Sequence, residues 1–424
     1  MRHLILPLAA IGCTAWLAAP AVAAQAATGT PAAPATRTAA TRTVAREAAA
    51  AEQTQCLSAS SAESQSVPWA EQELSPQRVW SMTQGAGQVV AVVDSGVSAG
   101  APALSGAVLP GRDTLTNGAG DSDCLGHGTF TAGIIAARPL AGSGFEGLAP
   151  QARILPVDVV SAAQEESGDT ATSSSAVAAG IRYAVQAGAT IIDVSTATAP
   201  GPSSALESAV GYALSRNVVI IAPVGVSSGT TSQLAASYPA SYSGVIAVSA
   251  VDSSGAPVAA GQAGVRVDLA APGSSLTSTG PQGRGTITGS GSSLATAFVA
   301  GTAALVRSYY PGLSAAQVGQ RLESTADQSG GSVPDPEVGY GVVDPYTAVT
   351  TVLPAESGGR PPAAPSARAV TVPPRRAPDP WPVLTTLIVC CVAGLGIAAG
   401  TFAARVLRGA RQHGWRPPPP NRAE

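Results

Sequence analysis

The sequence predicts an α/β protein with a doubly wound, mostly parallel sheet and helices on both faces of that sheet, followed by one C-terminal transmembrane helix. Short apolar runs, often β-branched, alternate along the middle of the chain with longer segments of helical pattern. Because these runs are apolar on both faces, both faces of the sheet should be buried beneath helices. Strands are predicted at 89–93, 154–160, 191–195, 218–222, 245–251 and 267–271, and helices at 127–137, 173–187, 203–216, 293–309 and 314–324.

The N-terminus has the pattern of a secretory signal peptide, which we place at residues 1–24. Arg2 precedes an apolar run, and small residues follow Pro20, as at a cleavage site. The alternative is a transmembrane anchor, for which the apolar run is short. Residues 25–55 are rich in Ala, Thr and Arg and predict a disordered leader.

The C-terminus has the pattern of a membrane anchor. Residues 354–380 are rich in Pro and Ala and predict a stiff linker. The uncharged stretch 380–404 would span about 37 Å as a helix, enough to cross a bilayer, and we place the transmembrane helix at 381–404. The arginine-rich residues 405–424 then form a cytoplasmic tail, as the positive-inside bias prefers. A buried core helix is the alternative, but it fits poorly between a Pro-rich segment and a charged tail.

The cysteines predict a single disulfide. Cys13 lies in the signal peptide, and Cys390 and Cys391 lie in the membrane segment. Only Cys56 and Cys124 remain for the exported part of the chain, and in an oxidising compartment they have one way to pair. The alternative is two free thiols.

Charge and composition argue against several functions. The formal net charge is −3, and no basic surface pattern indicates nucleic-acid binding. No calcium-binding loop and no cluster with the spacing of metal ligands is recognisable in the sequence. We therefore expect no metal site, no other cofactor and no nucleic-acid partner.

Three residues at the ends of predicted elements could together form a nucleophilic site. His127 is the one histidine between the signal peptide and the tail, and it begins a helix between two glycines. Asp94 ends a buried strand, where a carboxylate can orient an imidazole. Ser293 precedes an apolar helix, whose N–H groups favour developing negative charge. Each residue also has a purely structural interpretation. His127 could be a surface histidine, Asp94 a turn-forming aspartate and Ser293 an N-cap serine.

The order Asp, His, Ser in an α/β chain is far more specific than any one of these residues, because subtilisin has this order of the triad. The chain resembles the subtilisin-type serine proteases, and more closely the mycosins, the membrane-anchored proteases of type VII secretion systems. The residues that carry the resemblance are 91–97 (AVVDSGV), 126–129 (GHGT) and 291–296 (GSSLAT), with support from 147–150 (GLAP), 238–240 (YPA), 270–273 (AAPG) and 339–343 (GYGVV). The layout resembles mycosins in particular: a signal peptide, an extension holding Cys56, a linker and a membrane helix.

The resemblance implies a subtilisin-like catalytic domain with an N-terminal extension at 56–353, and Asp94, His127 and Ser293 as catalytic residues. Ligands of such folds bind at the carboxyl ends of strands. Ser195 ends one of them, so we expect it to bind substrate, which would be a protein or peptide. The resemblance also suggests components of a type VII secretion membrane complex as partners.

Three positions depart from the family pattern. Ser292 stands where threonine is usual before the nucleophile, and Ala297 where proline is usual. Val226 occupies the position of the asparagine that completes the oxyanion hole, and an apolar side chain cannot donate a hydrogen bond to the tetrahedral intermediate. The Ser293 backbone N–H would remain as a donor, with the hydroxyls of Ser227 and Ser228 as alternatives.

Two functions of different classes therefore follow from the sequence. The first is an active serine endopeptidase at the outer face of a cell membrane. The second is a weakly active or inactive subtilisin-fold scaffold that stabilises a secretion membrane complex. The complete set of three triad residues favours the first, and Val226 favours the second.

Overall fold

The structure is a computed structural model of the 424-residue chain. It describes residues 56–58, 64–160, 172–196, 198, 201–227, 232–328 and 331–356, together with five positions between 399 and 408. The chain divides into one unit that ends at Val352 and a second that begins at Leu353. In the second unit the described residues include a short 3-10 helix at Pro354–Glu356 and helical backbone at the positions between 399 and 408.

The first unit is built on a parallel sheet with helices between its strands, as the sequence predicts. The strands are β1 Val89–Asp94, β2 Arg112–Asp113, β3 Arg153–Asp158, β4 Ile191–Val194, β5 Val219–Pro223, β6 Gly225–Ser227, β7 Gln233–Ala235, β8 Val245–Val251, β9 Leu269–Pro272, β10 Leu276–Thr279 and β11 Thr286–Gly289. Seven of them form one sheet in the order β2-β3-β1-β4-β5-β8-β9, and every pair of neighbours in it is parallel.

The helices are α1 Trp69–Leu74, α2 His127–Ala136, α3 Ser174–Gln186, α4 Ser204–Ser215, α5 Ser292–Tyr309, α6 Ala315–Ser324 and α7 Pro345–Thr350. Their starts follow local sequence signals. Ser203 caps α4 by accepting from the Leu206 N–H, and Ser314 and Gln317 form a capping box at the start of α6.

Helices cover both faces of the sheet. Successive side chains of a strand point to opposite faces, and those on each face are mostly apolar. Val90, Val92 and Ile191 belong to a core that includes α2 and α5, whereas Ala91 and Ile192 pack with α3 and α4. α5 is buried along nearly its whole length against this first core. The two cores explain why the central strands have no polar face.

The direction of winding changes at β1. From β1 the chain moves to β3 on one side and then crosses back to β4 on the other. In open α/β sheets the crevice at such a switch point, outside the carboxyl ends of the strands, is where ligands bind. Asp94 is the last residue of β1, and Ser195 follows β4 directly, so both lie at this crevice.

Two antiparallel hairpins, β6–β7 and β10–β11, were not part of the expectation from sequence. β6 carries Val226 away from the parallel sheet, and β10 packs near α2 through the bond from the Ser278 hydroxyl to the Phe130 carbonyl oxygen, 2.7 Å. The two hairpins form separate two-stranded sheets and do not extend the parallel sheet.

The expected signal peptide (1–24), leader (25–55) and most of the linker (354–380), transmembrane helix (381–404) and tail (405–424) lie outside the described residues. Across the part of the chain that the structure describes, no helix is both long and apolar enough to cross a membrane. These segments therefore remain predictions from sequence.

Candidate active site

Asp94 lies at the carboxyl end of β1, and its side chain is 1% exposed. The backbone N–H of Ser95 donates to Asp94 Oδ1 at 2.7 Å, and the hydroxyl of Thr131 lies 3.4 Å from Oδ2. Donors of this kind hold the carboxylate in one orientation. The orientation aims it at the first residue of α2.

His127 is that first residue. Its Nδ1 lies 2.8 Å from Asp94 Oδ2 and 2.9 Å from Oδ1, so the ring is held by the carboxylate. α2 can begin here because Gly126 adopts φ 85°, which favours glycine. Gly128 is equally constrained, since a Cβ there would lie 2.0 Å from the Gly96 carbonyl oxygen. Gly126 thus lets the helix begin at His127, and Gly128 lets the helix start pack against the loop after β1.

Asp123 fixes the start of α2. Its side chain is 6% exposed and accepts hydrogen bonds from the backbone N–H groups of Gly126 at 2.7 Å and Thr129 at 2.8 Å. The Ser95 hydroxyl donates to it as well, at 3.1 Å, which ties the loop after Asp94 to the same carboxylate. Sequence reasoning missed this residue, although an acidic side chain just before a helix start is a capping signal.

Ser293 is the second residue of α5, and its Oγ lies 3.1 Å from His127 Nε2. The N–H groups in the first turn of a helix have no intrahelical acceptor, so they are available to a negative charge at this point. The Ser292 hydroxyl donates to the Val224 carbonyl oxygen at 3.0 Å, which ties the start of α5 to the segment that leads into β6. The structure thus brings together the three residues that the sequence singled out.

Val226 lies in β6, two residues beyond that tie, and is paired with Leu234 of β7. Its side chain is 44% exposed and, being apolar, offers no donor. Whatever stabilises an oxyanion beside Ser293 must therefore come from backbone N–H groups or from other side chains.

Ser195 is buried directly beneath the crevice and is 1% exposed. Among the described residues, its hydroxyl, the Thr196 hydroxyl and the two carboxylate oxygens of Asp193 make no hydrogen bond of normal geometry. Burial raises the pKa of Asp193 to about 7. This buried polar cluster at the end of β4 was not predicted. The one signal for it in the sequence is Asp193, a charged residue inside an otherwise apolar strand.

The Cys56–Cys124 disulfide is present, with an S–S distance of 2.03 Å. The Leu57 N–H also donates to the Cys124 carbonyl oxygen at 2.8 Å. Cys124 is three residues before His127, so the disulfide anchors the N-terminal extension to the loop that leads into α2.

Further acidic groups surround the site. Burial raises the pKa of Asp158, at the end of β3, to about 7, and the negative charge of Asp113 adds to that effect. Burial also raises the pKa of Asp123, against the hydrogen bonds it accepts from Thr129. In the described parts of the chain, no group of three or more His, Cys, Asp or Glu side chains is arranged to hold a metal ion.

The geometry is that of a hydroxyl, an imidazole and a buried carboxylate in series. An imidazole held by a carboxylate through Nδ1 can accept the hydroxyl proton through Nε2 as the oxygen attacks an electrophile. This combination at a helix N-terminus is suited to acyl transfer.

Comparison with known proteins points to the same chemistry. The family model described as peptidase S8, subtilase family, matches residues 85–341. Mycosin-4 of Mycobacterium tuberculosis is 36% identical over 337 residues, which cover 72% of this chain and 73% of the relative.

Solved structures agree. The crystal structure of MycP1 from Mycobacterium smegmatis superposes with a TM-score of 0.64 at 30% identity, covering 74% of this chain and 93% of MycP1. A chain in the structure of an intact ESX-5 inner membrane complex superposes with a TM-score of 0.60 at 27% identity. The match covers 85% of this chain and 95% of that chain. The chain therefore belongs to the subtilase family and is a serine endopeptidase that resembles the mycosins.

Proposed function

We propose that the protein is a membrane-anchored, extracytoplasmic serine endopeptidase in which Ser293 is the nucleophile, His127 the general base and acid, and Asp94 the residue that orients His127. The observation that carries this proposal is the continuous contact from Asp94 through His127 to Ser293. Asp94 Oδ2 lies 2.8 Å from His127 Nδ1, and His127 Nε2 lies 3.1 Å from Ser293 Oγ. Membership of the subtilase family supports it.

The roles follow from the contacts. Ser293 Oγ attacks the scissile carbonyl carbon while His127 Nε2 takes its proton, and Asp94 stabilises the resulting imidazolium through Nδ1–H. The imidazolium then gives the proton to the departing amine, which leaves an acyl-enzyme. Water, deprotonated by the same imidazole, releases the acid product and restores Ser293.

A peptide substrate would lie extended beside the strand ends near Ser195 and would pair there through its backbone. The likeness to a chain of an ESX-5 inner membrane complex supports an association with type VII secretion components. Secreted proteins of such a system are the substrate class that this association favours.

The proposed topology puts 25–380 outside the membrane, with 56–353 as the catalytic domain, 354–380 as linker, 381–404 as the membrane helix and 405–424 in the cytoplasm. Protease shaving of intact, wall-stripped cells should then remove the catalytic domain and spare a tag placed after Glu424. Protection of the catalytic domain in this experiment would contradict the orientation.

One observation favours a second candidate, a subtilisin-fold scaffold with little or no activity. Val226 offers no donor at the expected oxyanion position, and removal of one such donor costs about 100- to 1000-fold in kcat. Both roles could belong to one protein, since a weakened protease can still hold a complex together.

The two candidates differ in a simple assay. The full-length protein, purified in detergent, should hydrolyse an unfolded protein substrate, and the Ser293→Ala variant should not. If the parent and Ser293→Ala release peptides at the same background rate while both remain folded, the scaffold is the better description.

A further inference from the structure

Asp193 is a fully buried carboxyl group that the proposed reaction does not use. Its side chain is 0% exposed, and neither of its oxygens makes a hydrogen bond of normal geometry with any residue that the structure describes. An ionised carboxylate in that position loses the hydration that water would give it, so the group resists ionisation. Burial is accordingly the main cause that raises its pKa to about 7.

Its place in the sheet puts Asp193 beside the triad. It is paired with Val92 in the parallel register of β1 and β4, two residues before Asp94. Its neighbours Ile192 and Val194 belong to the core on the opposite face, so its own side chain faces α5, the helix of Ser293. Thr296 lies on α5, and its hydroxyl lowers the pKa of the Asp193 carboxyl. The same hydroxyl lies 2.6 Å from the Ser293 carbonyl oxygen, to which it donates.

Few charged groups face Asp193. The negative charge of Asp94 on β1 raises its pKa, and His127 on α2 lowers it, as do the hydroxyls of Thr296 and Ser195. Described residues of β5 carry no charge. Arg307 of α5 bonds the Thr190 carbonyl oxygen at 2.6 Å, before the start of β4, and so lies at the other end of the strand.

We propose that Asp193 is a titratable positioning residue for the triad: its buried charge, present or absent, sets how readily His127 holds a proton. The inference rests on the proposed roles of His127 and Ser293 and adds a fourth, non-contacting group to them. Asp193 touches neither substrate nor the reacting atoms, and it acts through His127.

The proton count explains the effect. When the pair of His127 and Asp193 holds one proton, that proton resides either on the imidazole, with Asp193 ionised, or on the carboxyl, with His127 neutral. Each form has the same total charge, and the attraction between imidazolium and carboxylate favours the first. The titration curve of His127 should therefore have two steps. The midpoint of the larger step should lie at a higher pH than the midpoint for a protein in which residue 193 is neutral.

The test uses Asp193→Asn, which keeps the shape of the side chain and removes its charge. Full-length protein in detergent, labelled with carbon-13 at the imidazole Cε1, is titrated by NMR. The chain holds three histidines, His3, His127 and His413. The resonance that disappears in a His127→Gln variant identifies the one of interest.

We expect the parent to give a two-step titration of His127. Asp193→Asn should give a single step whose midpoint is lower by about 0.5 to 1 pH unit, less than the one to three units produced by a directly adjacent charge. Glu71→Gln is the matched control, because Glu71 is also a buried carboxyl group, but the charges of Asp94 and His127 are not among the causes that shift its pKa. It should leave the His127 titration unchanged.

Superimposable His127 curves in the parent and Asp193→Asn would overturn the inference, as would an equal shift in Glu71→Gln. A single-step curve in the parent overturns it even if Asp193→Asn fails to fold. The pH profile of fluorophosphonate labelling gives a second readout, since its acid limb should move to lower pH in Asp193→Asn. Absence of labelling in the parent at every pH would contradict the proposed function, whereas the NMR result would still decide the role of Asp193.

Discussion

Glu71 should make the protein less stable as the pH rises, and replacing it with glutamine should remove that effect. Glu71 lies on α1 with a side chain 1% exposed, and within the described part of the chain neither carboxylate oxygen makes a hydrogen bond of normal geometry. Burial raises its pKa from 4.5 to about 8, with its own backbone N–H acting in the opposite direction. Folding must therefore either keep this group protonated or bury a bare charge.

The magnitude follows from linkage. Because the pKa is higher in the folded state than in the unfolded state, the folded protein binds the proton more tightly, and stability falls as the pH rises above about 4.5. Each pH unit between the two pKa values costs about 1.36 kcal/mol, so the loss at pH 7 is about 3 kcal/mol. The loss levels off above about pH 8, where the folded form also ionises.

The assay compares denaturant unfolding of the full-length parent and Glu71→Gln at pH 4.5 and pH 7. The glutamine variant should match the parent at pH 4.5 and be more stable by about 3 kcal/mol at pH 7. Glu73→Gln is the matched control, because Glu73 lies on the same helix but is exposed. Equal pH dependence of the parent and Glu71→Gln would refute the reasoning.

Three further changes probe the site. Val226→Asn should raise kcat by up to about 100-fold with little change in KM, because a new oxyanion donor acts mainly on the transition state. An unchanged kcat would show that position 226 does not face the oxyanion. Asp94→Asn should lower kcat by about 10,000-fold while leaving the fold intact, as circular dichroism and steady-state kinetics would show. Replacing both Cys56 and Cys124 by serine should cost about 4 kcal/mol of stability, given a sequence separation of 68 residues, and equal unfolding midpoints would contradict this.

Much of the fold could be predicted because the central strands are apolar on both faces. β1, β5 and β8 have no polar face, which predicts a parallel sheet covered on both sides, and the structure has that sheet. The helices predicted at 203–216 and 314–324 begin one residue later in the structure, because Ser203 and Ser314 are their N-caps. The pairing order of the strands could not be read, because periodicity shows which segments are strands but not which are neighbours.

The site was predictable only where residue type and element end coincided. Asp94, His127 and Ser293 each sit at a strand or helix end in the sequence, and the structure brings them within hydrogen-bond reach. Asp193 and Thr296 lie inside a strand and a helix, where the sequence gives no sign of what faces them. The β6–β7 hairpin was missed because its strands are only three residues long, too short for an alternating pattern.

The most direct measurement is the site of covalent modification by a fluorophosphonate. Full-length parent and Ser293→Ala, purified in detergent and confirmed to be folded, are treated with the reagent, digested and mapped by mass spectrometry. An activated nucleophile should give a phosphonyl adduct on Ser293 in the parent, the adduct should be absent from Ser293→Ala, and its formation should slow as His127 is protonated. No adduct on Ser293 at any pH, or an adduct on another serine that persists in Ser293→Ala, would contradict the account.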